Sequence, residues 1–215
     1  MIVLSIDTGL DACQAAVVAD GRTLAKLTEP MRRGHQERLA TLTGEVMAAA
    51  GLDFQALDRI AVTAGPGSFT GLRVGLAFAK GLALALGIPC VGVGTLQALA
   101  ASAPAPETDE VVAVAVDGGR GQVWLQTFGA DGALSEPEGL EPQAAGDRLL
   151  DLGARALRLI GSGAYLVADR LPAARIVPLE APDPAVIAAL AAKASEPLAP
   201  PRPIYLRAPD ARASA

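Results

Sequence analysis

The residues of this 215-residue chain whose types could do chemistry are few: Asp7-Thr8-Gly9, the loop Gly65-Pro66-Gly67-Ser68-Phe69-Thr70-Gly71, the single histidine His35, and the cysteines Cys13 and Cys90. A glycine loop ahead of a helix gathers backbone N–H groups at the helix N-terminus, which is how proteins build phosphate sites. The spacing fits neither familiar version. A P-loop needs Gly-Lys-Ser/Thr, whereas Gly71 is followed by Leu72 and Arg73. Gly65, Gly67 and Gly71 miss the dinucleotide G-x-G-x-x-G by one residue, and no acidic residue stands at the expected distance. The pattern favours the other use of glycine, close approach of a helix to the sheet. Asp-Thr-Gly also marks aspartic proteases, but that site needs two carboxylates sharing a proton, so one copy would require a symmetric dimer. Asp7 reads instead as a turn aspartate. His35-Gln36-Glu37-Arg38-Leu39 is not H-E-x-x-H, and one histidine is too few for that zinc site. Ser68 lacks the G-x-S-x-G elbow, which leaves His35 as a helix-start or interface residue. Neither cysteine has CxxC or metal spacing, so both read as buried free thiols.

The surrounding pattern says which elements hold these residues. Residues 60–64 form a short β-prone run, and from Leu72 apolar residues cover nearly every face of a helix stopped by Gly87 and Pro89. Such a helix is expected to be buried on all sides. Upstream, 2–7, 12–19 and 23–28 read as strands, the last two joined by the hairpin turn Asp20-Gly21. Residues 36–50 place Leu39, Leu42, Val46, Met47 and Ala50 at steps of three and four, a helix with one apolar stripe ended by Gly51. A strand at 90–94 and a short helix at 95–102 follow, and 103–110, with prolines and acidic residues, marks a boundary. Beyond it 111–116 ends in Asp117 and a glycine turn, then 122–128 forms a second strand. This repeats the opening of the chain, as in a fold of two related halves. The rest is thinner: a helix at 142–152, a strand at 157–162, and a helix over 186–194 begun by Asp183-Pro184. The chain ends in a proline-stiffened tail around 200–207.

Composition narrows the function classes. Hydrophobic residues make up 51% and mean hydropathy is +0.36, but the longest apolar run, 74–88, is cut by Lys80 and preceded by Arg73. That is too short and too charged for a span of about 20 residues. Met1 leads directly into a strand, so no signal peptide is expected. A net charge of −5 and a pI near 4.9 make the chain a poor nucleic-acid binder by itself, because phosphate contacts need clustered Lys and Arg. Any link to RNA is expected to pass through a partner. High apolar content with 3% aromatics further suggests apolar surface covered by another protein.

The string Ala64-Gly65-Pro66-Gly67-Ser68-Phe69-Thr70-Gly71-Leu72-Arg73-Val74-Gly75 resembles, nearly letter for letter, the signature of the TsaB (YeaZ) family. The segment 2–9 and the ending Tyr205-Leu206-Arg207 extend the likeness. The resemblance implies an α/β chain with the actin-like ATPase (ribonuclease H-like) fold. Each related half would hold a mixed sheet flanked by helices, the second half reduced. It places an N-terminal domain at 1–102, to which the tail 203–215 returns, and a smaller one at 110–200. Members are non-catalytic partners in making threonylcarbamoyladenosine in tRNA. They bind the homologue TsaD and, with TsaE, support transfer of threonylcarbamoyl from its adenylate to the adenosine beside the anticodon. Two metal-holding histidines of TsaD correspond here to Thr95 and Leu99, which cannot replace imidazoles. The likeness therefore implies no catalytic residue, cofactor or metal in this chain, a cytoplasmic location, contact with tRNA only through partners, and a homodimer in isolation. Helices 36–50 and 69–86 would form the partner interface through His35, Leu39, Leu42, Val46, Phe69, Thr70, Leu72, Arg73, Leu76 and Lys80. On that expectation Leu42→Glu abolishes the complex and spares the fold. Gln122 stands where the family's usual Asp-Ala-Arg-Arg-x-Glu-Val-Tyr stretch, here 117–124, carries an acid, and Gly161-Ser162-Gly163 resembles the family's second glycine turn. Two rivals stand beside this reading: an actin-like kinase or ATPase holding MgATP with Asp7 and the Gly65–Gly71 loop, and a homodimeric scaffold.

Overall fold

The computed structural model describes residues 1–154, 156–195 and 199–206. Strands β1 (Ile2–Asp7), β2 (Ala12–Ala19) and β3 (Arg22–Pro30) open as an antiparallel meander. The turn between β2 and β3 puts both Asp20 (φ 50°) and Gly21 (φ 79°) in the left-handed region, the geometry that matches the twist of paired strands. Helix α1 (His35–Ala50), β4 (Arg59–Gly65), α2 (Phe69–Leu86), β5 (Cys90–Gly94) and α3 (Thr95–Ser102) complete a five-stranded sheet of order β3-β2-β1-β4-β5. In it β4 runs parallel to both β1 and β5.

The second half restarts the pattern. Strand β6 (Glu110–Gly119) pairs antiparallel with β7 (Gln122–Gly129) across a turn with Arg120 and Gly121 again left-handed. Strands β8 (Gly132–Ala133) and β9 (Glu138–Leu140), α4 (Pro142–Asp151), β10 (Ala156–Ile160), α5 (Ala164–Ala168) and β11 (Arg175–Val177) follow. The second sheet has the order β11-β10-β6-β7-β8, with β9 on β7. It is a reduced copy of the first, with short edge strands.

Helices α1 and α2 cover one face of the first sheet. Leu39, Leu42, Val46 and Met47 of α1 meet Leu4, Ile6, Val17, Ile60 and Val62, with Leu76, Ala79 and Ala83 of α2 beside them. The opposite face is covered by α3 and by a last helix, α6 (Pro184–Ala192), through Ala98, Ile187, Ala188 and Ala191. Helix α6 lies within the 110–200 range assigned to the second half, yet it packs on β1, β2 and β4. Its composition explains the placement: a nearly all-apolar helix needs two covered sides, and the second sheet's own core is already filled by α4 and α5. Arg59 fixes its C-terminus, donating to the carbonyls of Ala191 (2.6 Å) and Ala194 (3.2 Å). Helix α3 lies between the halves, with Leu96 and Leu99 turned to the cluster of Val112, Val114, Trp124 and Phe128.

Arg38 ties α1 to the sheet, its Nη2 reaching Glu29 at 2.5 Å and Glu45 at 2.6 Å. Hydrogen bonding to Arg38 holds both carboxyls below their ordinary value of 4.5. Lowered carboxyl values stabilise the fold fully above pH 4.5 and cease to do so as pH falls through the folded-state values. Arg38→Met should therefore make acid unfolding shallower in that range, measured as the thermal midpoint against pH. Burial pushes the thiols of Cys13 and Cys90 up to about 11, so both are protonated at neutral pH.

Candidate functional site: a closed glycine junction and an open helix face

The glycines of the central loop are contact surfaces. A methyl group at Gly67 would lie 2.5 Å from the Gly9 carbonyl oxygen, one at Gly71 would collide with the Thr8 carbonyl oxygen, and one at Gly75 would lie 2.6 Å from Thr8 Oγ1. Ser68 N–H donates to Gly9 O (2.7 Å) and Thr8 Oγ1 donates to Gly71 O (2.7 Å). The start of α2 is thus seated directly on the β1–β2 turn, and Ser68 caps it by accepting from Gly71 N–H. Close approach is the use of glycine that the spacing favoured. Gly65, with φ 114°, needs glycine twice over, since a side chain would also meet the Ile204 carbonyl oxygen at 2.5 Å.

Asp7 does not reach a ligand-accessible surface. It is 0% exposed; Oδ1 accepts from Gly9 N–H (2.9 Å) and Thr63 Oγ1 (2.5 Å), and Oδ2 accepts from Gln14 Nε2 (2.8 Å). Gln14 donates in addition to Pro182 O, tying the segment before α6 into the same network. Against the MgATP reading, which gave Asp7 a metal-positioning role, its acceptors are engaged by β2, β4 and its own turn. Thr95 and Leu99, both 0% exposed, are core residues of α3.

Between the halves lies a cleft of about 1220 Å³, walled by Gly9, Ser68 and Phe69 on one side and by Asp117, Gly118 and Ser162 on the other. Its second-half loops satisfy themselves: Asp117 Oδ1 accepts from Gly119 N–H (2.8 Å) and Ser162 Oγ accepts from Asp117 N–H (3.1 Å). Ile204, Tyr205 and Leu206 of the C-terminal segment line this cleft. Ile204 N–H donates to Ala64 O (2.7 Å), and Leu206 joins the apolar cluster around Trp124. Arg207 and the remainder of the tail lie outside the described residues.

Of the residues assigned to a partner interface, Leu39, Leu42, Val46, Leu72 and Leu76 are buried in the core of this chain. The assignment is corrected for these five, because an apolar stripe that covers the sheet cannot also face outward. His35 is half-buried, with Nε2 enclosed and, among the described residues, without a hydrogen-bond partner. Phe69, Thr70, Arg73 and Lys80 are exposed.

Helix α2 is also not buried on all sides. It is the one helix among the described residues long and apolar enough to cross a membrane, and its inner side lies on β4 while a stripe of Arg73, Ala77, Lys80, Gly81 and Leu84 stays open. Leu84 is 85% exposed. Beside it α1 exposes Ala40, Thr41, Glu45 and Ala48. Leu84 was missed in the sequence, although Arg73 and Lys80, seven residues apart, mark the stripe that includes it. Gly44 and Gly81 sit inside these helices with nothing within 4 Å of an added methyl, so no packing among the described residues requires them.

Two mixed sheets flanked by helices, related half to half and facing each other across a cleft, define an actin-like ATPase fold. The ROK hexokinase of Thermus thermophilus shares it at 13% identity, TM-score 0.51, over 89% of this chain and 98% of that one. Within that superfamily the chain belongs to the TsaB (YeaZ) family. The family model described as TsaD, tRNA N6-adenosine threonylcarbamoyltransferase, matches residues 26–152, more than half of the chain. The tRNA threonylcarbamoyladenosine biosynthesis protein TsaB of Escherichia coli (strain K12) is 34% identical over 131 residues, 61% of this chain and 56% of that protein. YeaZ from Pseudomonas aeruginosa superposes with a TM-score of 0.74 at 26% identity, covering 89% of this chain and 90% of that one. The chain thus matches little more than half the length of its TsaB-named relatives.

Proposed function

We propose that this chain is a non-catalytic subunit in the formation of threonylcarbamoyladenosine in tRNA, acting in the cytoplasm by docking its α1–α2 surface on a TsaD-type transferase. The observation that carries this reading is the outward face of α1 and α2. An interior glycine costs a helix about 1 kcal/mol relative to alanine, and here two stand where no neighbour among the described residues needs them. Small residues on both helices and a leucine left almost wholly in water are what a second helix pair needs for close approach. The names of the relatives supply the biology: one is a threonylcarbamoyladenosine biosynthesis protein, and the family model is that of the transferase.

On this reading the docking surface belongs to an N-terminal unit, 1–102, and the unit at 110–200 supports it. Transfer of the threonylcarbamoyl group takes place in the transferase, TsaE joins the larger complex, and tRNA meets this chain only indirectly. Alone, the chain covers the same face with a second copy. Sedimentation of the chain with and without the TsaD homologue from its own cell tests this. A one-to-one heterodimer replacing the self-pair is expected, and two species that ignore each other would contradict it.

A further inference from the structure

Arg73 is held in a way unusual for an exposed arginine. Its Cζ lies 3.7 Å from the centroid of the Phe69 ring, and its Nε donates to Tyr205 OH at 3.3 Å. The Phe69 and Tyr205 rings pack at 5.2 Å with a tilt of 39°, and each residue is 38% exposed. Tyr205 is itself anchored, because the neighbouring Ile204 is hydrogen-bonded to Ala64 and Leu206 is seated in the cluster around Trp124. A guanidinium stacked on one ring and bonded through Nε is fixed in direction, with its two Nη groups making no hydrogen bond among the described residues. That is the fork a carboxylate takes bidentately.

Arg73 and Lys80 are the only charges on α2, and among the described residues neither pairs with a carboxylate. Two turns separate them, about 10 Å along the helix. We propose that Phe69, Arg73 and Tyr205 form one preformed recognition patch and that, with Lys80, it selects a partner helix carrying two carboxylates about 10 Å apart. The proposal rests on the docking face described above and gives it a chemistry. It also makes the C-terminal segment part of that face, with Tyr205 as the positioning residue for Arg73. A second copy of the chain brings the same two cations to the contact and is the weaker partner. An RNA partner is disfavoured, since two cations on a chain of net charge −5 neutralise too few phosphates.

The test is the affinity of the full chain for the TsaD homologue at about 50 and about 500 mM salt, with labelled tRNA titrated in parallel. Tyr205→Phe, which keeps the ring and removes the bond to Arg73, should weaken partner binding several-fold. Tyr205→Ala and Arg73→Ala should each weaken it about tenfold or more, and their combination should be no weaker than Arg73→Ala alone. Arg73→Ala with Lys80→Ala should flatten the salt dependence. Leu84→Asp separates the two levels of the argument. If Leu84→Asp abolishes binding while the Tyr205 and Arg73 variants bind like the native chain, the patch is refuted and the docking face stands. If Leu84→Asp also binds normally, both fall. Loss of tRNA binding in place of partner binding would overturn the choice of a carboxylate-bearing helix.

Discussion

Gly71→Ala should destabilise the chain by about 3 kcal/mol or more, enough to unfold much of it near physiological temperature. The new methyl collides with the Thr8 carbonyl, a backbone atom held from both sides: Asp7 before it is locked by three hydrogen bonds, and Gly9 after it is bonded to Ser68. Neither α2 nor the β1–β2 turn can withdraw without opening the core that Leu76 and Leu4 share. The same substitution nearly three turns along the helix has the opposite sign. At Gly81 a methyl meets nothing within 4 Å, so Gly81→Ala should raise stability by about 0.5–1 kcal/mol through helix propensity alone. Thermal and urea unfolding of the two variants reads both effects. Equal responses would mean that the junction at Thr8 is looser than described.

Leu84→Asp should abolish partner docking while leaving the thermal midpoint within a degree or two of the native chain. The residue is 85% exposed, so a charge there costs the monomer almost nothing, and in a helix-to-helix contact it is a buried, unpaired carboxylate. Leu42→Glu, which the apolar stripe of α1 recommended as the interface variant, should instead unfold the protein. Leu42 is 0% exposed beneath the helix, and an ionised side chain there has no water and no partner. The pair distinguishes core from contact by which property is lost.

That reversal shows what the amino-acid pattern carries. Strands, turns and the two long helices were legible because each has its own period or punctuation: Asp20-Gly21 for the hairpin, Gly51 and Gly87 as helix stops with left-handed geometry. The direction in which a helix faces was less legible. In α1 the stripe Leu39, Leu42, Val46 points one way and was asked to serve both sheet and partner. In α2 nearly every position is apolar, so periodicity holds no angle, and only Arg73 and Lys80 betray the open side. Strands β9 and β11, three residues each, are too short for any period to register. The engagement of Asp7 was out of reach for another reason. Its partners Gln14 and Thr63 arrive from neighbouring strands, and the register that brings them there is a property of the assembled sheet.

The central claim is that this chain contributes a surface and a sibling contributes the chemistry. Reconstituted transfer of the threonylcarbamoyl group to tRNA, with the TsaD and TsaE homologues present and this chain added or omitted, tests that claim most directly. The account predicts modified tRNA only when the chain is added, none from the chain alone, and none when the added chain carries Leu84→Asp. Full modification without the chain, or any transfer by the chain in isolation, would contradict it.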